Sequence, residues 1–273
     1  MPTQGLAPIA QSAFSKASAY DKNRPVYTST EANELLTLIG LNGRQGARVV
    51  DLGAGTGLFT EALAARPEEF DIIAVDPHDD MRAELERKAL RGVTVRKGWG
   101  SEIAVEDGTV DVVFAAQAFH WFANLDALQE IRRILKPNGY LALLWHVDDY
   151  NGFQSDIPAT EWERIIKEHI WQHDDNVPRF RHGKWREIFN SPGQTFFEQP
   201  VGQKDVPFTY YASVDALWGR LRTYSQFTNL EGAEMQALRD KFDAALSGDN
   251  VPRNEAGDVA VHGRTHYVWT KAI

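Results

Sequence analysis

The segment Arg48-Val49-Val50-Asp51-Leu52-Gly53-Ala54-Gly55-Thr56-Gly57 constrains the fold of this chain more than any other. An apolar β-branched run ends in an acid, three glycines then alternate with small residues, and a helical pattern begins at Leu58. Glycine reaches backbone angles that other residues find costly and lets a ligand approach the main chain closely. The helix that follows offers free N–H groups and the positive end of its dipole to an anionic group. Strand, glycine turn and helix in this order read as a nucleotide-type binding turn; a bare strand-to-helix connection is the alternative. The spacing is G-x-G-x-G, because position 58 is Leu, and so departs from the G-x-G-x-x-G of dinucleotide sites.

A second acid favours the binding reading. Asp71-Ile72-Ile73-Ala74-Val75-Asp76 is another short buried-strand pattern ending in a carboxylate, 25 residues after Asp51. A carboxylate at that distance can accept both hydroxyls of a ribose. Asp76 also suits the cap of a helix that starts near Pro77-His78, and the two roles are compatible. Met81, one turn on, suits either an adenine face or the core.

The rest of the chain alternates helix and strand. Thr28 and Glu31 form a capping box ahead of Leu35, Leu36, Leu38 and Ile39. Strands are expected over 48–52, 71–75, 93–95, 110–116 and 140–145. Helices are expected to about Ala65, over 78–90, and over the stretch carrying Leu125, Leu128, Ile131, Ile134 and Leu135, which Lys136-Pro137-Asn138-Gly139 breaks. This alternation specifies an α/β fold with a parallel sheet wound on both sides. Ligands of such sheets bind beyond the carboxyl ends of the strands. That rule gathers Gly53 to Gly57, Asp76 and Pro77, Trp99 to Ser101, Gln117 to Trp121, and His146 to Tyr150.

The motif Val50 to Gly57 resembles the first motif of the class I S-adenosylmethionine-dependent methyltransferases. Asp107 to Asp111 followed by Ala115-Ala116-Gln117-Ala118-Phe119-His120-Trp121-Phe122 is similar to a small-molecule branch that includes the trans-aconitate methyltransferase-like proteins. Tyr20 to Tyr27, Leu135 to Gly139, Leu217 to Arg222 and Tyr267 to Lys271 extend the likeness over nearly the whole chain. The resemblance implies a Rossmann-like methyltransferase fold, a doubly wound, mostly parallel sheet of seven strands with a C-terminal helical and strand cap, and S-adenosylmethionine as cofactor with S-adenosylhomocysteine as product. It implies cofactor contacts from Asp51, Gly53, Ala54, Gly55, Gly57, Asp76, Pro77, Met81, Trp99, Gly100, Ser101, Gln117, Tyr20 and Arg24. Residues 1–27 would be a lid that closes over the cofactor, 28–147 the cofactor-binding core, 148–259 a substrate cap with late helices, and 260–273 a last strand returning to the sheet edge. Two departures stand out. Ser101 occupies a position where the branch often has an acid, and Trp145-His146 replaces a common Trp-Asn.

Methyl transfer from a sulfonium is an in-line displacement, so alignment and water exclusion do most of the work. A base is needed only when the acceptor carries a proton. His146 and His120 are the candidate bases, since imidazole titrates near neutrality; His120 also suits a loop-fixing role. Tyr27, Trp121, Trp145 and Tyr150 are expected to line the acceptor pocket. Asp148 and Asp149 are read as an exposed acidic turn in preference to partners of His146. The spacing of these histidines and acids matches no common metal motif.

The chain has 273 residues, a net charge of −9 and no cysteine. Thiolate catalysis and disulfides are therefore excluded, and an acidic protein is a poor general binder of nucleic acid. The basic-aromatic stretch Pro178 to Trp185 is read as solvated surface. No secretory signal or membrane span is evident, and a cytoplasmic enzyme, monomer or homodimer, with a small-molecule acceptor is expected. The acceptor atom is expected to be oxygen, of a carboxylate or a hydroxyl. Nitrogen or carbon acceptors, and a cofactor-binding protein that does not methylate, are the alternatives; measured turnover separates the last.

Overall fold

The computed structural model describes residues 27–224, 226–227 and 230–273. Seven strands form one sheet: β1 (Arg48–Leu52), β2 (Asp71–Asp76), β3 (Val93–Lys97), β4 (Val110–Ala116), β5 (Leu135–Asp148), β6 (Gly202–Ala212) and β7 (Val259–Lys271), in the order β3-β2-β1-β4-β5-β7-β6. β1 to β5 are mutually parallel, whereas β7 runs antiparallel to both β5 and β6. The carboxyl ends of five strands therefore share one rim.

The apolar runs explain the sheet's position. Val49 and Val50 of β1 and Val112 and Val113 of β4 are fully buried, as expected of strands covered on both faces. One face packs on α1 (Ser29–Leu38) and α2 (Leu58–Ala64) through Leu35, Leu36, Phe59 and Leu63. The other takes α4 (Leu125–Ile134) through Leu128, Ile131 and Ile134, together with Phe180, Trp185 and Phe189. Between these lies α3 (Asp79–Arg87), shorter than expected because Ala89 takes a positive φ of 46° and ends the helical path.

Beyond β5 come α5 (Glu161–Gln172), α6 (Val214–Leu221) and α7 (Gly232–Leu246). Trp162, Ile166, Leu217, Leu221 and Phe242 form a separate apolar cluster with Val259 and Val261 at the start of β7.

Three expectations need correction. The last strand does not take the edge: β7 inserts between β5 and β6, and β6, from within the expected cap region, is the edge strand. The helix does end before Lys136-Pro137-Asn138-Gly139, but these residues lie inside β5, which begins at Leu135 and not at Tyr140. Leu135 already pairs with Val110, and pairing resumes at Tyr140 with Val112. The basic stretch is only partly solvated, with Lys184 exposed. Arg179 and Arg181 are buried, with Arg181 bonded to Asp174 at 2.8 Å and Arg179 to Asp175, so their charge is consumed inside the chain. Among the described residues no helix is long and apolar enough to cross a membrane.

Candidate active site

The glycine turn is stitched to the neighbouring strand. Gly53 and Ala54 N–H groups both donate to the Val75 carbonyl, at 2.7 and 3.1 Å. Gly53, Gly55 and Gly57 have φ of 76°, 57° and 87°, all in the left-handed region. A Cβ on Gly53 would lie 2.5 Å from that of Ala118, and one on Gly57 would overlap Leu85, whereas one on Gly55 would meet open space. Two glycines are thus needed for packing, and the third faces the crevice.

Two carboxylates sit beneath the turn. Asp76 accepts the Gly55 N–H at 2.9 Å with one oxygen and the His78 N–H at 2.8 Å with the other. Burial raises its pKa, and the two backbone bonds oppose that shift. Asp51 accepts the Thr60 hydroxyl at 2.6 Å, and its second oxygen is buried with no hydrogen-bond partner. Burial is the main cause that pushes this carboxyl up to about 7. Pro77 is half-buried, and Met81 is buried in the first turn of α3. After β3, Trp99 and Glu102 exchange backbone bonds of 3.0 and 3.1 Å, closing a tight loop over Gly100 and Ser101. A Cβ on Gly100 would strike Phe122, so this loop lies directly on the segment after β4.

That segment opens with Gln117, which has a φ of 56° although it is not glycine. Such a conformation persists only where surroundings impose it. The Gln117 backbone N–H donates to Leu144 O at 2.8 Å and its side-chain amide to His146 O at 2.6 Å, fastening the ends of β4 and β5 together. Along β5, Leu143, Trp145 and Val147 face one core, while Ala142 and Leu144 face the other. Alternation therefore sends His146 to the α1 face. Its side chain is 10% exposed and lies 3.4 Å from Glu31 Oε1 through Nδ1. The Phe208 ring meets it edge-on at 4.1 Å, and Tyr27 is 6.5 Å away. Neither ring nitrogen has a hydrogen-bond partner among the described residues. Burial lowers its pKa; Glu31 and Asp148 raise it, and Arg220 lowers it again.

Several expected residues lie elsewhere. Trp145 is fully buried, stacked on Trp185 at 4.4 Å, because strand alternation turns it away from His146; it belongs to the core and not to a pocket wall. Its indole N–H donates to His120 Nδ1 at 3.1 Å. The neutral His120 ring therefore carries its proton on Nε2, which occupies both nitrogens and suits loop fixing better than proton abstraction. Trp121 is half-buried beside it, ring to ring at 5.1 Å. Tyr150 is buried against Trp162 and Tyr224 in the C-terminal cluster, away from a pocket surface. Tyr20 and Arg24 lie outside the described residues.

Asp148 is the largest correction. It is fully buried and paired with Arg220 at 2.6 Å, with the Tyr224 and Tyr210 hydroxyls donating at 3.1 and 3.4 Å. Nothing near Asp148 in sequence signals a partner 72 residues on. Among the described residues no group of three or more acids and histidines is placed to hold a metal ion.

A glycine turn, two buried carboxylates and a rim of strand ends define a class I methyltransferase fold. Residues 50–143 match the family described as "Methyltransferase domain". The uncharacterized methyltransferase C25B8.09 of Schizosaccharomyces pombe is 41% identical over 240 residues, covering 88% of both chains. A malonyl-[acyl-carrier protein] O-methyltransferase of Methylococcus capsulatus is 36% identical over 103 residues, covering 37% of this chain and 38% of its own. A solved type II methyltransferase structure from Anaeromyxobacter dehalogenans has a TM-score of 0.62 at 20% identity, covering 91% of this chain and 97% of its own. The chain belongs to the S-adenosylmethionine-dependent methyltransferase family.

Proposed function

We propose that this methyltransferase moves a methyl group onto an oxygen of a small-molecule acceptor, with His146 taking the acceptor's proton where there is one. The observation that carries the reading is the His146 ring. It is nearly buried at the end of β5, fastened through its own carbonyl to Gln117, and has no hydrogen-bond partner on either nitrogen among the described residues. Buried polar groups are rarely left so without a use. The oxygen named for the Methylococcus relative supports the same acceptor atom.

The residues of the crevice fit S-adenosylmethionine. The Asp76 carboxylate keeps lone pairs free for a ribose diol after its two backbone bonds. Gly55 leaves room for close approach, and the unpartnered Asp51 oxygen supplies a further acceptor. Ala54, Gly53 and Gly57 shape the turn, while Pro77, Met81, Trp99, Gly100, Ser101 and Gln117 surround the base and sugar. Tyr27, 6.5 Å from the His146 ring, and Trp121 lie nearer the acceptor. When bound, the cofactor supplies a methyl group activated by a positive sulfur. The chain's residues hold acceptor oxygen and methyl carbon in line and keep water out, and such positioning is worth roughly 7–11 kcal/mol. A carboxylate acceptor needs no base; a phenol or alcohol does.

Two glycine variants separate packing from binding. Gly57→Ala combines left-handed strain with overlap on Leu85, and should cost about 2–4 kcal/mol in urea unfolding. Gly55→Ala meets no neighbour and should cost about 1–2 kcal/mol, yet weaken cofactor affinity in calorimetric titration. Equal stability losses with unchanged affinity would remove Gly55 from the binding surface.

The acceptor type has a pH signature. The His146 pKa is lowered from the usual imidazole value, mainly by burial, and only the neutral ring is a base. For a hydroxyl acceptor, kcat/KM should be flat near neutrality and fall as pH drops through the folded-state pKa. Stability follows the same direction. The unfolded ring protonates first on acidification, so the protein loses stability below the unfolded pKa of about 6.5. His146→Asn should abolish the slope in rate and reduce the slope in stability, to which His182 and His266, also lowered by burial, contribute; a full rate with no acid limb in that variant would identify a carboxylate acceptor.

A further inference from the structure

Glu31 is built into two parts of the molecule at once. At the third position of α1 its Oε2 accepts the Thr28 backbone N–H at 2.8 Å and the Thr28 hydroxyl at 2.9 Å, while Thr28 caps the Glu31 N–H. That capping box uses one carboxylate oxygen and would accept a glutamine equally. The other oxygen is turned to the sheet. Oε1 receives the Thr265 hydroxyl of β7 at 2.8 Å and lies 3.4 Å from His146 Nδ1. Thr265 is the register partner of His146 across the β5–β7 ladder, so it pins the carboxylate beside the ring. The Tyr267 hydroxyl donates to the Glu31 carbonyl at 3.4 Å, tying the same helical turn to β7 a second time.

We propose that Glu31 is a positioning residue for His146, holding the imidazole with its proton on Nδ1 so that the Nε2 lone pair takes the proton of a hydroxyl acceptor. This rests on the methyltransferase reading above and narrows the acceptor to a phenol or an alcohol. The balance is simple. The acceptor O–H bond breaks with its pair kept on oxygen and its proton passing to Nε2. An oxygen pair forms the new C–O bond, and the old carbon–sulfur pair stays on sulfur. The resulting imidazolium faces the Glu31 carboxylate across Nδ1–H and later releases its proton to solvent.

The charges around the ring favour this role. Asp148 on the same strand and Arg220 on α6 also act on it, but they are bonded to each other at 2.6 Å and largely cancel. Tyr27 and the Phe208 ring from β6 also border it. Among the described residues Glu31 is thus the unbalanced charge at His146. At 3.4 Å the two groups are in ion-pair contact without the alignment of a formed hydrogen bond, as is common for catalytic pairs without ligand.

The test is nitrogen NMR of histidine-labelled full-length protein, with the His146 signals assigned by their loss in His146→Asn. Unliganded wild type should show the Nδ1–H tautomer. In Glu31→Gln the ring should shift toward Nε2–H and its titration midpoint should fall, while thermal unfolding barely moves because glutamine preserves the cap. Turnover of a phenol or alcohol should drop about tenfold in kcat with little change in KM, the usual scale for losing an orienting partner. Thr265→Val, which frees Oε1, should move the tautomer ratio the same way. An unchanged tautomer and midpoint in both variants would overturn the proposal. Failure of the wild type to bind S-adenosylhomocysteine would instead remove the cofactor reading, since the NMR measurement needs no ligand.

Discussion

Asp76→Ala is expected to weaken S-adenosylmethionine and S-adenosylhomocysteine binding by at least about a hundredfold. Each hydrogen bond to a charged acceptor contributes roughly 1.5–3 kcal/mol, and a ribose diol makes two, so about 3–6 kcal/mol is at stake. The carboxylate also ties the Gly55 N–H to the His78 N–H, so its loss slackens the turn itself. Asp76→Asn keeps the shape and one acceptor oxygen and should fall between the two. Calorimetric titration gives the affinities, and urea unfolding of the unliganded variants shows whether the fold is intact. A well-folded Asp76→Ala that binds within about threefold of wild type would place the ribose elsewhere.

The contrast between Asp76 and Asp148 shows what the sequence makes legible. Asp76 follows a short apolar strand at a diagnostic distance from a glycine turn, and every part of that signal is local. β1 and β4 are equally local, with apolar runs bounded by turn residues, and their observed limits are those expected. Asp148 owes its environment to Arg220, Tyr210 and Tyr224, which reach it only after β6 and α6 have folded back. The insertion of β7 between β5 and β6 is likewise a matter of strand order, which no periodicity encodes.

Neighbouring side chains were also hard to separate. Trp145 and His146 are adjacent in sequence and face opposite cores, yet an apolar run such as Tyr140 to Trp145 gives no alternation from which to assign faces. Glu31 was legible as a cap because a capping box is a four-residue pattern, here Thr28 to Glu31. Its second oxygen was not, because Thr265 and His146 arrive from two other strands.

Arg220→Leu is expected to destabilise the protein by about 3–5 kcal/mol, the usual cost of leaving a buried charge unpaired. Asp148 has no exposed side-chain surface and Arg220 has 8%, so water cannot replace the lost partner. The Tyr210 and Tyr224 hydroxyls would remain as donors, which bounds the loss from above. One result separates this electrostatic account from simple loss of packing. The double variant Asp148→Leu/Arg220→Leu should recover most of the stability, since an apolar pair of similar volume often matches a buried ion pair. Packing lost at one side chain would not return when its partner is removed as well. A deficit equal in the single and double variants would mean that packing alone holds α6 to β5. Because α6 docks two residues beyond His146, the electrostatic account carries a further consequence. The same variant should lose turnover before it loses cofactor affinity, whose proposed determinants follow β1 and β2.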